Sequence, residues 1–200
     1  MDERSPEDPP CRVIALAASA GGLSAILTVL SALPANLPAA LILVQHLDPH
    51  HPSLMAEILG RRIHLPTKQA EDGERLRPGW VYIAPPDWHL TIAAGHLALS
   101  QSQPVNFVRP SADLLFRSVA ESCRERAIAV VLTGSGQDGA RGIQAIKRMG
   151  GTTIAQDRAT SAYFGMPGAA IRTGCIDYVL PLDEIPRKLL ALIRSEGDVA

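Results

Sequence analysis

Three apolar runs of strand length, at 13–18, 40–45 and 127–132, constrain this chain more than any other feature, because each breaks into turn residues and an amphipathic segment follows. After the first run, Leu23, Ile26, Leu27 and Leu30 fall at i, i+3, i+4 and i+7, one face of a helix that ends before Pro34. Further strands are expected at 80–84, 152–156 and 178–180. Further helices are expected around Leu54, Ile58 and Leu59, from Ser111 to about Cys123, through Ile143 and Ile146, at 167–173, and through Ile185, Leu189, Leu192 and Ile193. Leu90 and Ile92, then Leu97 and Leu99, alternate around Ala94-Gly95, the pattern of an antiparallel β-hairpin. Strands alternating with helices imply an α/β fold, doubly wound, with a mostly parallel sheet, helices on both faces and this hairpin inserted. Ligands of such folds bind beyond the carboxyl ends of the strands.

That edge is where the chemically interesting residues fall. Ser19 stands in Ala18-Ser19-Ala20-Gly21-Gly22, between the first strand and the first helix; His46 closes the second run; Asp138 follows the third, in Thr133-Gly134-Ser135-Gly136-Gln137-Asp138-Gly139. A serine hydroxyl is a poor nucleophile until an imidazole takes its proton and a carboxylate orients that imidazole, and these three residues supply one group of each kind. The order Ser, His, Asp and the lack of a GxSxG elbow set the chain apart from α/β-hydrolases. The Ala20 N–H is the first candidate to stabilise an oxyanion, and the Gly134-Ser135-Gly136 turn could present a second donor. Arg109 and its loop are candidates for the wall of a substrate site.

Other readings of the same residues stay open at this level. Ser19 could cap a helix or line a phosphate loop, and Asp138 could be an N-cap. Gly-rich turns after two strands and Asp48 near the end of the second would suit a nucleotide, although GxGxxG is incomplete. His46, Asp48, His50 and His51 could be read as metal ligands, but Asp48-Pro49 and His51-Pro52 have the chemistry of turns before a helix, so no metal and no cofactor are assigned. His64, His89 and His96 flank turns or strand ends and are expected to face solvent, and Arg61-Arg62 to be a solvated helix end.

A formal net charge of −1 over 200 residues argues against a nucleic-acid binder. The apolar runs are too short for a membrane span, and the acidic, proline-rich start is unlike a signal peptide, so a cytoplasmic protein is the default. Cys11, Cys123 and Cys175 form no CxxC pair and fit a reducing compartment; Cys123 continues the stripe of Leu115 and Val119 and is expected to pack. Residues 1–10 read as a disordered leader and 11–200 as one catalytic domain, its 46% apolar share sufficing for a substantial core.

A series of blocks then carries a resemblance: Ala18-Ser19-Ala20-Gly21-Gly22, Gln45-His46, Glu71-Asp72-Gly73-Glu74, Tyr82-Ile83-Ala84-Pro85, Arg109-Pro110-Ser111-Ala112-Asp113-Leu114-Leu115-Phe116, the segment 132–139 and Phe164-Gly165-Met166-Pro167. In order, and from about Arg12 to Ile193, the series resembles the CheB-type catalytic domain of bacterial chemotaxis protein-glutamate methylesterases. The resemblance implies a serine hydrolase that demethylates glutamate methyl esters on the cytoplasmic helices of methyl-accepting chemotaxis receptors, releases methanol, and in many members deamidates receptor glutamines. It matches Ser19, His46 and Asp138 to nucleophile, base and orienting acid. The chain departs from the family's usual pattern at Ala17, Ala20 and Ser135, where glycine, threonine and methionine usually stand; Ala20 keeps its backbone N–H. With only a short leader before Arg12, no receiver domain is expected, so a separate receiver or kinase protein is the candidate regulator. A non-catalytic signalling module, or a hydrolase of another ester, would share the same sequence features.

Overall fold

The computed structural model describes residues 12–47, 51 and 53–194, so the leader, Asp48 and His50 lie outside the described residues. Seven strands form one parallel sheet: β1 (Arg12–Ala18), β2 (Ala39–Gln45), β3 (Thr67–Gln69), β4 (Val81–Ile83), β7 (Ala127–Val131), β8 (Thr152–Gln156) and β9 (Tyr178–Leu180), in the order β3-β4-β2-β1-β7-β8-β9. Between β4 and β7, β5 (His89–Ala93) and β6 (His96–Ser100) pair antiparallel as a separate hairpin. The strand order reverses between β1 and β7, whose registers run Val13 beside Ala127 to Ala17 beside Val131. That reversal opens a crevice at the carboxyl ends of β1, β2 and β7.

The three apolar runs are central strands because both their faces are covered. β2 and β7 are buried at every position, and β1 from Val13 onward. On one face α3 (Ala112–Cys123), α4 (Ala140–Arg148), α5 (Gly165–Arg172) and the hairpin pack over Val13, Ala15, Ala17, Ile42 and Val131, with Phe116 and Cys123 inside this layer. On the other, α1 (Gly22–Ser31), α2 (Met55–Gly60) and α6 (Ile185–Arg194) cover Ile14, Leu16, Leu41, Leu43 and Val130. Pro167 sits in the first turn of α5, where its missing N–H costs no helical bond.

Two features depart from the sequence reading. Thr67-Lys68-Gln69 has no apolar signature, yet it pairs with β4 as an edge strand, since the exposed edge of β4 offers unpaired backbone groups that only a neighbouring chain segment can satisfy. His89, expected to face solvent, is wholly buried, because the loop after β6 folds over the start of β5. His64 and His96 are exposed, as are Arg61 and Arg62.

Candidate functional site

Ser19 and His46 are each fixed by a neighbouring strand. The Ser19 N–H donates to the Thr133 carbonyl across the β1–β7 seam at 3.0 Å, and the His46 N–H donates to Ala18 across the β1–β2 seam at 3.1 Å. Gln45, 6% exposed, adds a clamp: its Nε2 donates to the carbonyls of both Ser19, at 2.8 Å, and His46, at 3.0 Å. One amide thus ties the peptide of the serine to that of the histidine. Gly22 must be a glycine for this clamp, as a Cβ there would stand 2.1 Å from Gln45 Oε1 and 2.8 Å from the Ala18 Cβ.

The structure brings His46 and Asp138 together, with Nε2 to Oδ2 at 2.9 Å. This arrangement places the proton on Nε2 and turns Nδ1 into the acceptor. Ser19 Oγ makes no hydrogen bond among the described residues, so the structure pairs His46 with Asp138 but not with Ser19. Gly134 lies directly against the serine: a Cβ on it would meet the Ser19 Cβ at 2.9 Å and Met166 Sδ at 2.3 Å. Its peptide is pinned, the N–H to Tyr163 O and the carbonyl to the Met166 N–H. Neither the Ala20 N–H nor the Ser135 N–H has a backbone acceptor among the described residues, which leaves both candidate oxyanion donors uncommitted on the turns that follow β1 and β7.

Asp138 does not cap its own helix. The residue at the N-cap of α4 is Gly139, at φ 94°, and the Asp138 carboxylate instead reaches the start of α3, accepting from Ala112 N at 2.6 Å, Asp113 N at 3.2 Å and Ser111 Oγ at 2.9 Å. Burial raises its pKa, but the hydrogen bond from His46 and those from Ala112 and Ser111 outweigh burial and hold the carboxyl below its ordinary value. It therefore stays charged where an imidazole must be oriented.

Behind Ser111 stands His89. Its Nδ1 accepts the Ser111 N–H at 3.1 Å and its Nε2 faces the Gln103 carbonyl at 3.2 Å, which requires the neutral ring with its proton on Nε2. Burial, with the Arg109 charge adding to it, holds the ring below the ordinary imidazole value. His89 is thus linked to Asp138 through Ser111, and the hairpin alternation of Leu90 and Ile92 carried no signal of it.

The guanidinium of Arg109 is bound elsewhere than expected: Nε and Nη2 donate to Asp87 at 3.0 and 2.7 Å, and Nη1 to the carbonyls of Gln101 and Ser102. Its charge finds a carboxylate and two loop carbonyls, and so braces the loop instead of lining the site. A cavity of about 470 Å³ beside the His46–Asp138 pair is lined by His46, Asp138, Ser135, Asn106, Phe107 and Arg172, together with their neighbours in the 107–108 and 136–137 segments; Ser19 lines a separate hollow with Gly22, Leu23, Leu27 and Gln45. Asn106 and Phe107 belong to the loop of Arg109 that the sequence offered as a wall, whereas Arg172 was not singled out from sequence. Among the described residues no three His, Cys, Asp or Glu side chains converge as a metal site, and no helix is long and apolar enough to cross a membrane.

Comparison with known proteins decides the family, since the model described as CheB methylesterase matches residues 14–189. The chain belongs to the CheB methylesterase family. A protein-glutamate methylesterase/protein-glutamine glutaminase of Maricaulis maris is 45% identical over 86% of this chain, and one of Thermotoga maritima is 40% identical over 91%. The matches cover 44% and 54% of those two proteins, so the chain spans about half the length of the curated relatives it matches. The crystal structure of the Thermotoga maritima CheB methylesterase catalytic domain superposes with a TM-score of 0.88 at 40% identity, covering 92% of this chain and 99% of that one. A doubly wound parallel sheet with an inserted hairpin is accordingly the CheB catalytic-domain fold.

Proposed function

We propose that this chain is a protein-glutamate methylesterase whose nucleophile is Ser19, with His46 as base and Asp138 as the acid that orients it. The observation that carries the reading is the His46–Asp138 pair at 2.9 Å, placed one strand from Ser19, with the Ala20 and Ser135 N–H groups uncommitted on the turns that follow β1 and β7. Ser19 Oγ attacks the ester carbonyl carbon while its proton passes to His46 Nδ1, and Asp138 holds the resulting imidazolium. The carbonyl oxygen takes the electron pair and rests on the N–H groups of Ala20 and Ser135. As the tetrahedral adduct collapses, His46 returns its proton to the departing methoxide, which leaves as methanol. Water, deprotonated by His46, then cleaves the acyl-enzyme and frees the glutamate carboxylate and Ser19.

Residues 11–200 act as one catalytic domain in this reading, on the cytoplasmic helices of chemoreceptors; the names of the relatives support the protein-glutamate methylesterase activity. Those names also support deamidation of glutamine side chains by the same steps, ammonia leaving in place of methanol. The test is methanol release from methylated receptor membranes. Wild type should release it and Ser19→Ala should not, with equal thermal melts; no release from wild type would remove the proposal.

A further inference from the structure

Beside the His46–Asp138 pair the chain doubles back. Val105 and Val108 exchange both backbone hydrogen bonds, at 3.1 and 3.0 Å, and the two residues between them have positive φ, 51° at Asn106 and 65° at Phe107. A two-residue turn of that hand suits asparagine and glycine, whereas a phenylalanine is strained in it. The turn is nevertheless held: Asn106 Nδ2 donates to Asp113 at 2.8 Å and approaches Asp138 at 3.5 Å. Its consequence is a Phe107 ring that is 100% exposed on the rim of the cavity lined by His46 and Asp138. Single exposed apolar residues are ordinary, but backbone strain that presents one at the rim of a cavity shared with a paired histidine and aspartate is the kind retained at functional sites.

Arg172, exposed at the end of α5, lines the same cavity and has no ion-pair partner among the described residues. The acidic group nearest the chemistry, Asp138, is buried and committed to His46 and α3. Among the described residues the mouth of the site therefore presents one aromatic ring and one cation without an ion-pair partner.

We infer that Phe107 and Arg172 select the substrate segment, an acidic amphipathic helix whose apolar side chain rests on the Phe107 ring and whose carboxylate pairs with Arg172 while its ester reaches Ser19. The inference rests on the hydrolase reading above and names what that site accepts. Apolar contact supplies affinity; the cation supplies discrimination, because a basic segment would meet like charge.

The test is binding, followed by fluorescence anisotropy, to the full chain carrying Ser19→Ala so that nothing turns over. Two labelled helical peptides serve as probes, one with a single glutamate γ-methyl ester among leucines and glutamates, the other with those glutamates replaced by lysines. The acidic peptide should bind more tightly, and Phe107→Gly and Arg172→Gln should each weaken it about tenfold. Arg172→Glu should shift the preference toward the lysine peptide. Phe107→Gly should melt at or above the parent temperature, since glycine accepts the turn. Equal binding of the two peptides, or unchanged affinity in Phe107→Gly and Arg172→Glu, would overturn the inference. Failure of the hydrolase reading shows separately, as absent methanol release by wild type, and leaves this binding result to stand or fall alone.

Discussion

Burial opposes the charge on Asp138, yet four donors hold the carboxylate ionised: His46, Ala112, Asp113 and Ser111. Asp138→Asn keeps the shape and removes the charge, so His46 loses both its tautomer and its counter-charge. Ester hydrolysis should fall about 10³-fold or more while the fold persists, read as kcat beside a thermal melt. His89 makes a different demand. Its folded pKa lies below the ordinary 6.5, so between the two values the unfolded chain binds the extra proton. Stability contributed by the neutral ring is therefore complete above about pH 6.5 and declines as pH falls toward the folded pKa. His89→Gln can accept from Ser111 and donate to Gln103, and should flatten denaturant stability across that window while keeping activity. His89→Leu orphans both partners, which should cost about 1–3 kcal/mol and lower kcat.

At the scale of elements, α3 is the organiser. Its N-terminus receives a cap from another loop, the Asp138 carboxylate, which gains from the helix dipole as well as from the N–H groups. Phe116 locks the same helix to α4: it is fully buried, its Cβ would stand 2.5 Å from a Cβ on Gly142, and its ring 3.3 Å from one on Gly139. That close approach is why Gly142 opens the helix face against α3. Asp113 adds a polar link, accepting from Gly142 N at 2.9 Å and from Asn106. Phe116→Ala should therefore do two things at once. The cavity should cost about 3–5 kcal/mol in urea unfolding, and the loosened α3 should lower kcat although no atom of Phe116 faces the site. A loss of stability with kcat intact would show that α3 keeps its place without that packing.

Across the whole molecule, protection should follow position in the sheet. β1, β2 and β7 are covered on both faces, while β9 is only partly buried and the β3 edge has no fully buried residue. Amide hydrogen exchange should open β9 and β3 first and the three central strands last, near global unfolding. Rapid exchange in β1 or β7 would contradict a core built around them.

Those central strands are also what the amino-acid sequence determined by itself. Apolar runs at strand length, helical stripes between them and turn residues at their ends are local patterns, and a parallel sheet is the arrangement that buries them on both faces. Ser19, His46 and Asp138 were singled out by the same pattern, Ser19 and His46 standing where such a run stops and Asp138 in the turn that follows the third. What tertiary structure decided has no local pattern. Thr67-Lys68-Gln69 becomes a strand because an edge awaits it; His89 is buried because a distant loop covers it; Arg109 turns to Asp87; Asp138 caps a helix 26 residues earlier in the chain; Gln45 spans two strand ends. Each is a partner choice between segments far apart in sequence, settled by which polar groups burial leaves without water, and that is known only once the strands are in place.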